Sequence, residues 1–216
     1  MEFRLLYSGR LLGASRDKTR AEHKHAIRCE LSPQIRRLVE SKFNLYQACY
    51  RYGFKWFENH PEDRDSVDGG MPHDVQRRLM YGFFLRHMAE KWQRGGHGFV
   101  PIVTEEMELR VALDILFLRP VDPGMIIKGG DLDNRLKTLL DALRLPDNAE
   151  GVAPQASVEP IFCLLQDDRL ISEIKMTSDQ LLLLPKESAI TPNDVFLVVN
   201  VALEAPPSSA WHHAFG

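Results

Sequence analysis

Asp131 and Asp133 sit two residues apart in the run Asp131-Leu132-Asp133-Asn134. Lys137 and Asp141 follow at intervals of four, and an Asp167-Asp168 pair comes later. Two carboxylates so spaced at the mouth of a helix can turn toward one point. Hard divalent cations such as Mg²⁺ take oxygen ligands, keep several waters, and are usually held by one or two carboxylates together with a substrate phosphate. Asp131 and Asp133 offer that pair, and Asp168, at the start of a later strand, offers a third carboxylate. A lysine one turn inside such a cluster neutralises repulsion between the acids and can touch a phosphate or the charge developing in a transition state. The chemistry implied is metal-assisted phosphodiester hydrolysis, in which the ion activates water and stabilises the leaving oxygen.

Each residue also has a plainer reading. Asp133 or Asn134 can be an ordinary helix cap, favoured by the macrodipole. Lys137 can be an ion-pair relay between Asp133 and Asp141, worth a few tenths of a kcal/mol. Asp167-Asp168 can be a turn before a strand. It is the ordered set that points to chemistry.

The elements that must position these residues are legible from periodicity. Leu136, Leu139, Leu140 and Leu143 form an i, i+3, i+4, i+7 stripe, which predicts a helix over 133–144 with Asp133, Lys137 and Asp141 sharing another face. Residues 107–118 alternate with period two and predict a half-buried strand, as do 170–176. The segment 195–203, apolar on both faces, predicts a central strand. Upstream, 1–13 suggests a first strand, Ser32-Pro33 reads as the start of a helix, and 74–92 predicts another, ended by QRGGHG. The expected class is α/β (α+β), a single mixed sheet packed with helices, with strands 107–118, 170–176 and 195–203 sharing that sheet.

The string D-L-D-N-x-x-K-x-x-x-D-A-L, followed by D-D-x-x-I, resembles the signature of the RusA-like family of Holliday junction resolvases. The resemblance is specific over 131–143 and 167–175 and reaches about half the chain. It implies Asp131, Asp133 and Asp168 as ligands of Mg²⁺, with Mn²⁺ as substitute, and Lys137 as the catalytic lysine. Asp141 and Asp167 match motif positions of less certain role. It further implies a RusA-like fold with an enlarged helical N-terminal half, branched DNA as substrate and a homodimer, since a twofold assembly matches a four-way junction. The family's short proline- and asparagine-bearing N-terminal motif is not recognisable, and the loop at 144–163 is extended. Two rival readings remain: a non-catalytic DNA-binding relative, and a metal-dependent nuclease or phosphohydrolase acting on RNA or nucleotides.

The 216 residues carry a net charge of −3, which hides an asymmetry. Residues 1–56 hold 12 Lys+Arg against 5 Asp+Glu, while the rest hold 15 against 25. A basic front end suits phosphate contact beside an acidic metal site. Arg16, Lys18, Arg20, Lys24 and Arg28 are the candidate phosphate contacts, with solvated surface as the alternative. His23-Lys24-His25 lacks the spaced partners of a zinc site, and Cys29, Cys49 and Cys163 lack both ligand spacing and an even count. No signal-peptide core and no run of about 18 apolar residues is present, so the expectation is a cytoplasmic protein with no membrane partner. Residues 1–100 read as a basic, largely helical region, 101–205 as the nuclease core and 206–216 as an irregular tail, with one compact domain as the expectation.

Overall fold

Ile27, Leu31, Ile35 and Val39 recur at every fourth position, and all four are buried. In the computed structural model they draw Lys18–Ser41 into one long helix, α1. The structure describes residues 1–13, 18–67, 70–120, 131–147, 159–182, 191 and 193–206. The tail at 207–216 lies outside them.

The Ser32-Pro33 start signal is corrected by this helix, because Pro33 lies inside α1. An interior proline forfeits one helical hydrogen bond, yet the buried stripe runs through it on both sides. Ser32 is not a cap either: its Oγ accepts a hydrogen bond from the backbone N–H of Phe162 at 2.8 Å. Helices α2 (Phe43–Gly53), α3 (Trp56–Asn59) and α4 (His73–Lys91) follow. Helices α2 and α4 approach so closely that a Cβ on Gly53 would lie 2.2 Å from the Met80 carbonyl oxygen.

Strand β1 is Glu2–Arg10, and the QRGGHG run forms a hairpin between β2 (Gln93–Arg94) and β3 (His97–Val103). Gly95 and Gly96 turn that hairpin with φ of 57° and 83°, a pair of conformations that favours glycine. The chain continues through β4 (Arg110–Arg119), helix α5 (Asp131–Leu143), β5 (Ile161–Leu165), a 3₁₀ turn at Asp168–Leu170, β6 (Ile171–Gln180) and β7 (Asp194–Glu204).

The fold is mixed α/β, and the strands predicted at 107–118, 170–176 and 195–203 share one sheet, ordered β1-β7-β4-β6. In it β4 runs parallel to β6 and antiparallel to β7. The alternation read from sequence is realised: Val111, Leu113, Ile115 and Phe117 face the core with Val195, Leu197, Val199 and Val201. The expectation of a single sheet is corrected, since β2, β3 and β5 form a second, three-stranded sheet. All five residues of β5 are buried, so it carries no period-two signal. Among the described residues no helix is long and apolar enough to cross a membrane.

Candidate functional site

Helix α5 is oriented by its apolar side. Leu139, Ala142 and Leu143 are buried in the main core, and Leu132, Leu136 and Leu140 pack against it half-buried. Two polar residues on the inner side find partners: Arg135 donates to Asn193 Oδ1 at 2.9 Å, and Thr138 Oγ1 donates to the Asn134 carbonyl at 3.1 Å. Asp133 and Lys137, one turn apart, are exposed on the outer side. Among the described residues neither side chain makes an ion pair or hydrogen bond, so the relay reading of Lys137 is not realised. Asp131 opens the helix, and its side chain lies outside the described residues.

Asp141, although on the helix face predicted for Lys137, has a different environment. Its carboxylate pairs with Lys24, with Arg20 at 3.7 Å and with Arg144 at 3.4 Å, and its side chain is only 14% exposed. Arg28 is buried and donates to the carbonyls of Asp141 and Arg144 at 2.8 and 3.1 Å. Carbonyls in the last turn of a helix lack intrahelical partners and carry the negative end of the dipole, so Arg28 closes the helix end. Of the five candidate phosphate contacts, Arg20, Lys24 and Arg28 are therefore engaged within the fold. Arg16 and the side chain of Lys18 lie outside the described residues.

Asp167 caps the 3₁₀ turn, accepting from the Arg169 backbone N–H at 2.9 Å and from Arg169 Nε at 2.9 Å. Those bonds hold its carboxyl below the usual aspartate range. Asp168 beside it is exposed. Its position follows from β5: the Leu145 N–H donates to the Leu165 carbonyl at 2.9 Å, which ties the end of β5 to the C-terminal end of α5. Asp131 and Asp133 stand at the opposite end of that helix, and the ten residues from 133 to 143 rise about 15 Å.

The structure thus brings Asp133 and Lys137 together and places Asp168 beside the other end of α5. Among the described residues no group of three or more His, Cys, Asp or Glu side chains is arranged to hold a metal ion. The donors at the head of α5 still suit Mg²⁺ chemically: an exposed carboxylate without a partner, with a second aspartate two residues before it.

The histidines of the HKH run have structural roles. His23 Nε2 accepts from the Leu12 N–H at 3.2 Å. His25 is buried against His97, with ring centroids 5.4 Å apart, and its Nε2 lies 3.5 Å from Cys29 Sγ. Burial, then the nearby charges of Arg28 and His97, lower the His25 pKa to about 4. Sequence reasoning missed the Lys24, Asp141, Arg144 and Arg28 cluster, which joins residues more than a hundred positions apart and leaves no local pattern. No protein-family model, curated protein or solved structure matches the chain.

Proposed function

We propose that the chain is a Mg²⁺-dependent endonuclease of the RusA-like type, acting on four-way or branched DNA in the cytoplasm. The observation that carries the reading is the exposed pair of Asp133 and Lys137 on the opening turns of α5. Every other charged side chain described on that helix is bonded within the fold, as Arg135 is to Asn193 and Asp141 to its three cations. A carboxylate and a lysine left in solvent on a helix whose other described charges are engaged are placed to meet a ligand.

In this reading Asp131 and Asp133 hold the ion, while Asp168, which the resemblance assigns as a third carboxylate, stands within one chain beside the opposite end of α5. When bound, Mg²⁺ would supply a Lewis acid for the scissile phosphate and lower the pKa of a coordinated water. Lys137, one turn into the helix, holds its ammonium where negative charge builds on the phosphate, a stabilisation that costs no reorganisation because the helix fixes it. The helix N-terminus adds a partial positive charge at the same end.

The test is cleavage of a synthetic four-way junction compared with matched duplex, single strand and RNA, with and without Mg²⁺. Junction cutting that requires Mg²⁺ is expected. Equal cutting of RNA or of free nucleotides would replace branched DNA with another substrate class, and tight junction binding without cutting in Mg²⁺ or Mn²⁺ would leave a binding protein.

A further inference from the structure

The four-stranded sheet has two faces, and helices α1, α2, α4 and α5 pack into one cluster with the core-side residues of its strands. The other face carries the alternate residues. On it Leu6, Val198 and Leu116 form one row across β1, β7 and β4, and Phe196 and Leu118 stand side by side in the next. None of these five side chains is buried, and Leu6 is 46% exposed. Yet β7 is apolar on both faces and β4 runs parallel to β6, two properties of strands in sheets covered on both sides. Among the described residues only one of the two covers is present. A contiguous apolar strip left in this way marks an interaction site.

Beyond the strip the same face sinks into a trough of about 700 Å³. Its floor is made by Ala202 and Ala112, small side chains on the two central strands. Its walls are long charged side chains on the two edge strands, Glu2 and Arg4 on β1 and Glu173 and Lys175 on β6. The walls stand three strand spacings apart, about 14 Å, which admits one α-helix of roughly 10–12 Å diameter. Strip and trough together run about 20 Å along the strands, so the footprint is roughly 300 Å². A stable interface between two proteins takes about 800 Å² from each. The face is therefore too small to hold a second copy and fits a single helix of about 13 residues.

Charge fixes the pattern of that helix. Glu2 and Glu173 oppose each other across the trough, and their carboxylates make no ion pair or hydrogen bond among the described residues. Two residues further along each strand, Arg4 donates through Nε to Asn200 Oδ1 at 2.8 Å, and Lys175 lies 3.5 Å from Asp114 with its side chain 66% exposed. Both walls thus pass from acid to base over about 7 Å, close to the rise of about 6 Å across four helical residues. The complement is a helix with Lys or Arg over the two glutamates and, four residues away, Glu or Asp over Arg4 and Lys175. Acids placed N-terminal to the bases favour the helix itself, so it runs parallel to β7 with its first turns on the apolar strip. We propose that this face docks an amphipathic helix of a partner protein, whose apolar stripe is flanked on both sides by an acid four residues before a base. The nuclease reading is not a premise, since none of these residues belongs to α5.

The probe is a synthetic helical peptide of that pattern, fluorescently labelled and titrated with the full chain by anisotropy. Saturable binding is expected. The same peptide with its acids and bases exchanged should bind about tenfold or more weakly, because four attractive pairs become repulsive, and high salt should narrow the difference. Ala112→Phe raises the floor of the trough and should abolish binding at an unchanged melting temperature. Should that variant fail to fold, Glu2→Lys combined with Glu173→Lys, at two exposed positions, takes its place. Its preference should pass from the first peptide to one carrying Glu in place of both bases. Equal affinity for the original and exchanged peptides, or affinities that ignore the variants, would overturn the assignment. A full chain that binds no peptide would overturn it too, and a concentration-dependent dimer that Leu116→Glu dissociates would then give the face to a second copy.

Discussion

Asp133 and Lys137 differ in what their loss should do. Asp133 lies inside the first turn of α5 with its side chain exposed and making no hydrogen bond among the described residues, so Asp133→Asn should fold normally. It removes one negative charge from the proposed metal site, which should abolish cutting while leaving junction affinity equal or better, because carboxylate–phosphate repulsion falls. Lys137→Ala should also abolish cutting, through loss of positive charge beside the transition state, and excess Mg²⁺ or Mn²⁺ should not rescue it. Full activity in a folded Asp133→Asn protein would end the metal-site reading. Asp141 shares their spacing but not their role: Asp141→Ala leaves Arg20, Lys24 and Arg144 facing one another, and should cost about 2 kcal/mol of stability, read by denaturant unfolding, with cutting per folded molecule retained. Spacing alone could not separate these residues. Residues 133, 137 and 141 lie on one helical face in the sequence, and only the packing of α1 against the end of α5 withdraws the third from solvent.

At the level of elements, the helices and strands with a clean period were legible, and those with conflicting signals were not. The α5 stripe and the β4 alternation each have one buried face, which is what periodicity reports. In helix α1 two signals conflict: Ser-Pro is a local start signal, whereas the stripe of Ile27, Leu31, Ile35 and Val39 is a longer one that tertiary packing enforces across it. Strand β5 shows no alternation in sequence because burial on both faces erases it. The junction of α1 with β3 should also give the molecule an acid-sensitive point. His25 stays neutral in the folded protein down to about pH 4, whereas the unfolded chain protonates it near the ordinary 6.5. Between those values the unfolded state binds the additional proton, so stability is intact above about pH 6.5 and declines as pH falls toward 4. The loss is bounded at about 3 kcal/mol by the size of the shift. Melting temperatures measured from pH 7.5 to 4.5 should fall more steeply for the wild type than for His25→Leu, and parallel curves would show that this histidine does not contribute.

Across the whole molecule, the three strands read from sequence do share a sheet, but the second sheet and the separation of Asp168 from the head of α5 depend on long-range pairing that no local pattern encodes. Strand β1 is one edge of the four-stranded sheet. On β1, the side-chain amide of Gln34 donates to the Leu6 carbonyl at 2.7 Å and accepts from the Leu6 N–H at 2.9 Å, imitating a neighbouring strand. An exposed row of backbone donors and acceptors is a template for further chains, and Gln34 occupies that template at Leu6. Gln34→Ala bares the Leu6 donor and acceptor, so particle size read by light scattering should climb with protein concentration more steeply than in the wild type, and identical profiles would show that the amide does not guard this edge.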